Sequence, residues 1–216
     1  MNQNDSASPN TLRSLPLFPL GSVLFPGGHL ALRIFEVRYL DMIGKCHKTG
    51  APFGVVALTQ GSEVRKPGAI EEFCSVGTIA TLAQVQSPQP GLLVVRCTGA
   101  QRFRIQASSQ LKHGLWVADV QRMDEDQTVP VPPDLQAAAN ALGRVIASLQ
   151  ARGISADQMP LRAPYQLDDC AWVANRWCEL LPLPPELKQR LMELDNPLVR
   201  LELVNDLLER QGLLRN

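Results

Sequence analysis

Short apolar runs separated by turn residues fill residues 15–123 and predict β-strands. After the opening segment, the predicted strands are Phe53–Thr59, Cys74–Gln86, Gly91–Thr98, Arg102–Gln110 and Leu115–Arg122. The SPQPG sequence between the second and third of these predicts a hairpin turn. A series of short strands of this kind favours a small closed barrel.

Prolines interrupt the apolar runs of the opening segment, Leu15–Leu20 and Val23–Gly28. Because proline has no N–H to donate to a sheet, we expect these two stretches to form strands at sheet edges, strand ends or bulges. The two glycines that follow the second run allow a left-handed corner, which returns the chain into a predicted strand at Leu30–Phe35.

One helix is predicted among these strands, at Glu36–Lys48, and the following Gly50 and Pro52 end it. Its apolar residues recur at helical spacing and define the predicted inner face: Val37, Leu40, Ile43 and Cys46. Glu36 and Arg38 flank Val37, and a catalytic acid with its partner is one interpretation of this pair. The structural interpretation is a carboxylate at the positive end of the helix and an arginine that reaches a neighbouring acceptor.

The last third of the chain has a helical pattern and predicts four helices. An Ala-rich helix follows Asp134 and ends at Gly153, a second begins at Asp168-Asp169, and prolines start the last two, at Pro184-Pro185 and Asn196-Pro197. The fold class predicted is therefore α+β, a small β-barrel with one crossing helix followed by a C-terminal four-helix bundle. The predicted divisions are a disordered leader (1–14), the barrel (15–123), a Pro-rich and charged linker (124–133) and the bundle (134–216).

Composition narrows the function classes. The chain has 216 residues, 45% hydrophobic and 19% charged, with a formal net charge of zero, which argues against a protein that binds nucleic acid through phosphate neutralisation. No apolar run reaches about 20 residues, so no membrane span is expected. The polar N-terminus lacks an apolar signal region, and the expected location is the cytoplasm, with all five cysteines reduced.

The usual signatures of an enzyme do not occur in this sequence. It contains no G-x-x-x-x-G-K-[ST] phosphate loop, and none of its five lysines lies in a Gly/Ala-rich segment near a nucleophilic serine. The three histidines, His29, His47 and His113, fall in separate segments and are expected on the surface. No catalytic residue, metal site or cofactor is therefore predicted.

The opening LPLFPLGSVLFPGGHLALRIFEVRY resembles the start of the Lon protease N-terminal, substrate-binding domain. The FEVRYL segment is similar to that of stand-alone members of this family, with Val37 where proline is usual. The FGVV, VGTIA and GAQRFRI segments resemble later strands, and LLPLPPELKQRLMEL resembles the helical tail of short bacterial members, so the similarity covers residues 15–208. It implies a barrel of the pseudouridine-synthase-and-archaeosine-transglycosylase-like (PUA-like) type and a binding module without the ATPase and peptidase of full-length Lon.

The same resemblance implies a non-enzymatic protein that binds exposed or unfolded polypeptide segments in bacterial protein quality control, with a protease system as a further partner. We expect a monomer or a weak homo-oligomer. An RNA-binding PUA-like module and a small-molecule-binding protein are the alternatives. The strands broken by proline leave apolar side chains and backbone groups for a peptide to contact.

The candidate peptide-binding residues are Phe25, Arg33, Arg38 and Tyr39, with Arg102 and Arg104 as a second choice. The alternatives are a core role for Phe25 and Tyr39, and a polar outer strand face for Arg102 and Arg104, which alternate with Phe103 and Ile105.

Overall fold

The computed structural model describes residues 10–64, 68, 70–155 and 158–214. Six strands occur, in chain order β1 (Thr11–Leu20), β2 (His29–Ile34), β3 (Phe53–Gln60), β4 (Glu72–Gln89), β5 (Leu92–Gln110) and β6 (Trp116–Arg122). Five α-helices occur, α1 (Val37–Thr49), α2 (Gln136–Ala151), α3 (Cys170–Leu180), α4 (Pro185–Glu193) and α5 (Pro197–Arg210). A short 3-10 helix, Pro133–Leu135, precedes α2. No helix in the described ranges is long and apolar enough to span a bilayer.

The strands form one mixed sheet in the order β2-β5-β4-β3-β1-β6, and β6 pairs in addition with β5. The pairings therefore close a ring of five strands, with β2 attached to β5 outside the ring. The β1–β3 pair is parallel, and the other pairs within the ring, β1–β6, β3–β4, β4–β5 and β5–β6, are antiparallel. This sheet and the helices confirm the predicted α+β class.

The two prolines of β1 lie where a strand tolerates a residue without a backbone N–H. Pro16 follows a shift in register between Leu12 and Leu15 where β1 pairs with β6, and Pro19 is the second-last residue of the strand. The strand starts at Thr11, so the prediction of disorder is wrong for residues 11–14; residues 1–9 of the predicted leader lie outside the described residues.

The second Pro-containing run, Val23–Gly28, is a loop and not the predicted strand. Its apolar residues Leu24 and Phe25 are nevertheless buried, with 5% and 0% exposure, and Gly27 makes the expected left-handed turn at φ 71°. The apolar side chains of this run are therefore buried from a loop and not from a strand of the sheet.

A predicted break between two strands at Thr98–Gln101 is also wrong, because β5 continues through it. Gly99 pairs with Ala80, and the register shifts before Arg102 pairs with Thr78. A Cβ atom on Gly99 would collide with the carbonyl oxygen of Phe25. This glycine therefore permits a close approach of two backbone segments at a bulge and does not mark a turn.

The helix prediction holds for the limits of α1, which ends at Gly50 in the left-handed region. Its predicted inner face is wrong at Val37, which is 72% exposed, whereas Ile43 and Cys46 are buried as expected. Arg38 and Tyr39 point inwards at the start of the helix, because Arg38 hydrogen-bonds there and Tyr39 stacks on another aromatic ring.

The chain divides into two compact units, one of Met1–Pro26 and Leu30–Glu125 and the other of Gly27–His29 and Asp126–Asn216. The main division falls inside the predicted linker, 124–133. In the second unit Arg200 is fully buried, and it binds Asp126 with one N–O distance of 2.6 Å. Residues Gly27–His29 belong to this unit, and within it Arg176 Nη1 donates to the Gly27 carbonyl at 2.5 Å.

Candidate functional site

The second strand, β2, has an open edge. It pairs with β5 on one side, and no other strand in the described parts of the chain pairs with its second side. Its side chains alternate, with Leu30, Leu32 and Ile34 directed to the core and Ala31 and Arg33 exposed. An edge of this kind presents unpaired backbone N–H and C=O groups, to which an extended chain can bind.

A groove of about 260 Å³ lies beside this edge. We call it the β2 groove, and define it by the residues that line it: Phe18, Leu20, residues 31–36, Tyr39, Glu63 and Val64. A depression on one face of a strand would contact every second residue, whereas this one contacts six consecutive residues. The β2 groove therefore runs along the strand instead of lying on one face of it.

The floor of the β2 groove is aromatic and rigid. The rings of Phe18 and Tyr39 stack with a centroid distance of 4.1 Å, and Phe18 also packs against Phe53 at 6.4 Å. Phe18 and Tyr39 are 6% and 3% exposed, so packing on all sides fixes their positions. The rim has the opposite character, because Phe35 and Val64 are 56% and 49% exposed. Apolar surface is thus available to a ligand at the rim.

A buried polar cluster holds the start of α1 next to the groove. Arg38 donates to the carbonyl oxygen of Gly114 at 2.9 Å, to Glu71 at 3.2 Å and to Glu36 at 3.2 Å. Glu71 in turn accepts a hydrogen bond of 2.8 Å from Trp116 Nε1. We call these five groups the Arg38 cluster. It supports the structural interpretation of the Glu36–Arg38 pair.

Electrostatics within the Arg38 cluster favour the charged form of the arginine. Burial alone disfavours the guanidinium, but the hydrogen bond to Glu71 and the charges of Tyr39, Glu36 and Glu71 outweigh it, so the pKa of Arg38 is raised. The guanidinium carbon lies 4.5 Å from the centre of the Tyr39 ring, which adds a cation–π contact. Arg38 therefore fixes the floor of the groove from beneath.

Three charged side chains line the β2 groove. The carboxylate of Glu36 is held by Arg38, and Glu63 accepts a hydrogen bond of 2.8 Å from the backbone N–H of Gly21. Arg33 is exposed on the outer face of β2. The residues that define the groove include two carboxylates and one guanidinium, and no serine, threonine, cysteine, histidine or lysine.

The structure brings together only part of the predicted binding strip. Arg33 and Tyr39 both line the β2 groove, Tyr39 as part of its floor, and Arg38 supports it from below. Phe25 is completely buried, as the alternative core interpretation holds, and lies in the loop after β1.

The second-choice pair also separates. Arg102 is 3% exposed and Arg104 is exposed, so the expectation of one shared outer face is wrong at Arg102. The bulge at Gly99 lies between Arg102 and the preceding stretch of β5 and disturbs the simple alternation there.

Of the residues that line the β2 groove, sequence reasoning proposed Arg33 and Tyr39 for binding; those it missed include Phe35, Glu63 and Val64. Phe35 had a usable signal, since it follows the alternating Leu30–Ile34 segment and so falls on the exposed side. Val64 had none, because it is an isolated apolar residue in the polar stretch after β3.

Comparison with known proteins gives a consistent result. A family model described as the ATP-dependent protease La (LON) substrate-binding domain matches residues 14–210. The Lon protease of Paraburkholderia phytofirmans is 28% identical over 205 residues, which make up 93% of this chain and 25% of that protein. The chain thus spans about a quarter of the length of this curated relative.

Solved structures show the same likeness. A Lon N-terminal domain protein from Xanthomonas campestris is 33% identical with a TM-score of 0.69, over 89% of this chain and 97% of that one. The N-terminal domain of the Mycobacterium avium complex Lon protease has a TM-score of 0.58 over 90% of this chain and 97% of that one. At 19% identity, this second likeness concerns the fold alone.

Proposed function

Because the chain belongs to the family of Lon protease substrate-binding domains, we propose that it binds unfolded or partly folded segments of protein substrates and performs no chemistry on them. The observation that carries this proposal is the open edge of β2 beside an apolar groove. The proposed setting is the cytoplasm of a bacterium, where the protein supplies substrates to a protease system in quality control.

Three properties of the β2 groove support polypeptide as the ligand. It lies along backbone that lacks a partner strand in the described residues, and its rim offers the exposed apolar side chains Phe35 and Val64. Its volume of about 260 Å³ is below the range of about 300–1,000 Å³ that is typical of drug-sized ligands. A space of this size suits one or two side chains of a longer chain.

Two further features fit a binding module. The family matched is that of the substrate-binding domain and not of the ATPase or peptidase domains of Lon. The side chains that line the groove include no serine, threonine, cysteine, histidine or lysine nucleophile. In the same proposal, the closed ring of strands is a PUA-like barrel, and α2–α5 form a four-helix bundle.

The test is the binding of a permanently unfolded protein, such as reduced and carboxymethylated α-lactalbumin, compared with the same protein in its native, disulfide-bonded form. We expect fluorescence anisotropy to show binding of the unfolded form only, with little change between low and high salt. Phe35→Asp places a charge on the rim of the groove and is expected to weaken binding by about tenfold. Val37→Asp is the matched control, because Val37 is even more exposed but does not line the groove.

Absence of binding by the wild-type protein would refute the proposal, and equal losses in both variants would place the site elsewhere. Preference for single-stranded RNA, weakening steeply with salt, would favour the RNA-binding alternative. The same purified protein is expected to hydrolyse neither ATP nor casein above a heat-inactivated control. Turnover that persists through further purification would contradict the non-enzymatic role.

A further inference from the structure

We propose that the β2 groove selects extended segments in which apolar and acidic residues alternate, and that such a segment binds by adding to β2 as a further strand. This inference rests on the proposed function and specifies the class of segment that is bound. It is carried by the juxtaposition of an open strand edge, an apolar floor on one face of the strand and an exposed arginine on the other.

The backbone provides the first step. In a strand, N–H and C=O groups point alternately to the two edges, so pairing with β5 leaves half of the backbone groups of β2 directed to its open edge. The groove is lined by residues 31–36 in succession, so a chain bound in it lies against this backbone. A ligand in the groove must then be extended to pair with the open edge, and only every second amide of the ligand faces β2.

The side chains of β2 provide the second step. Neighbouring strands place their side chains on the same face in register, so an added strand continues the alternation of β2. Its inward side chains would lie beside Leu32 and Ile34, over the stacked rings of Phe18 and Tyr39. These positions select large apolar residues, and the rim residue Phe35 extends the apolar contact.

Charge provides the third step. The outward side chains of an added strand would lie beside Ala31 and Arg33, which are exposed. Glu36 is held by an ion pair with Arg38, which it shares with Glu71. Glu63 belongs to the segment after β3 and accepts from Gly21, so neither carboxylate stands on the outer face of β2. The charge on the outer face of β2 next to the groove is therefore that of Arg33, which favours a carboxylate opposite it. A second copy of β2 would fit poorly, because HLALRI contains no acidic residue.

The experiment uses the full chain and labelled peptides of about ten residues in fluorescence anisotropy at physiological salt. The first peptide alternates apolar residues with glutamate, and the second has the same composition arranged at helical spacing. We expect the alternating peptide to bind about fivefold more tightly or better. Two N-methylated versions of it then block alternate amides, each on a different edge of the strand. One should lose most of its binding, and the other should keep it.

The charge step is tested by reversal. A peptide with lysine in place of glutamate should bind more weakly to the wild type, and Arg33→Glu should invert the preference between the two peptides by up to about fivefold in each direction. Arg104→Glu is the matched control, because Arg104 is exposed on β5 and does not line the groove. Both variants change exposed side chains, so unchanged urea midpoints should confirm that they are folded.

Equal binding of both N-methylated peptides, or a preference unaltered by Arg33→Glu, would overturn the inference. If the unfolded protein still binds in that case, the proposed function stands and only the mode of recognition is wrong. If neither the unfolded protein nor any peptide binds, both fail. A dimer mass in light scattering that the peptides leave unchanged, with no peptide bound, would assign the open edge to a second copy and would also overturn the inference.

Discussion

Replacing Arg38 by methionine is expected to destabilise the protein through a buried carboxylate and not through lost packing. Methionine retains most of the aliphatic volume but removes the cation from the Arg38 cluster. Glu71, whose side chain is 6% exposed, then remains buried and charged with no described cation beside it. Removal of one partner of a buried ion pair costs about 3–5 kcal/mol.

The structure places the expected loss at the lower end of that range. Glu71 keeps the hydrogen bond from Trp116 Nε1 at 2.8 Å, and the carbonyl of Gly114 keeps one from Gln110 Nε2 at 3.3 Å. Only part of each group's hydrogen bonding is therefore lost, and we expect about 3 kcal/mol. For a chain of this size, that corresponds to a fall in Tm of about 6–12 °C.

Urea denaturation followed by circular dichroism and by tryptophan fluorescence measures this loss. Arg104→Met is the matched control, because this arginine is exposed, and it should change the free energy of unfolding by less than about 0.5 kcal/mol. Glu71→Gln keeps an acceptor for Trp116 and removes the buried charge. Combined with Arg38→Met, it should give a loss at least about 1 kcal/mol smaller than the sum of the single losses. A loss below about 1 kcal/mol for Arg38→Met alone, or strict additivity, would refute this account.

Two further predictions concern glycine and cysteine positions. Gly99→Ala is expected to lower the free energy of unfolding by about 1–3 kcal/mol or to prevent folding, because the new Cβ would collide with the Phe25 carbonyl. Gly44→Ala, in α1 with nothing within 4 Å, should raise the free energy of unfolding by about 0.5–1 kcal/mol in the same urea assay. Similar effects of the two changes would contradict this expectation. Burial raises the pKa of the Cys97 thiol to about 12, so its alkylation should stay slow as the pH rises from about 7 to about 10. The partly exposed Cys74 should react first. Mass spectrometry of native and urea-unfolded protein would show the order of alkylation, and early labelling of Cys97 would count against its burial.

Local patterns predicted most elements, and the errors occur where distant parts of the chain decide the structure. The limits of β3 and the start of α4 follow from nearby turn residues and prolines, and they were predicted to within about two residues. Gly99 resembles a turn signal in the sequence, but its role depends on the carbonyl of Phe25, which is about 75 residues away in the chain. Val37 has the helical spacing of an inner residue, yet the Arg38 cluster rotates it to the surface.

The candidate site was less predictable than the fold. Arg33 and Tyr39 were predicted because they lie close in sequence to the runs that proline interrupts and to the first helix. The open edge of β2 was not predicted. Pairing of β5 with β6 closes the ring and leaves β2 outside it, so one edge of β2 has no partner strand among the described residues. The order in which strands pair is a property of the whole sheet and not of a local pattern. An isolated residue such as Val64 becomes part of a site only through that arrangement.

The pairing of β1 with β6 has a consequence for the synthesis of the protein. These two strands are joined at Thr11 and Gln121, about 110 positions apart, so the ring has a high contact order and cannot close until nearly 60% of the chain has left the ribosome. Until then, Leu15 and Leu17 lack their partners on β6 and remain exposed on the nascent chain. During its own translation, a protein proposed to bind unfolded segments is thus, for a time, such a segment itself.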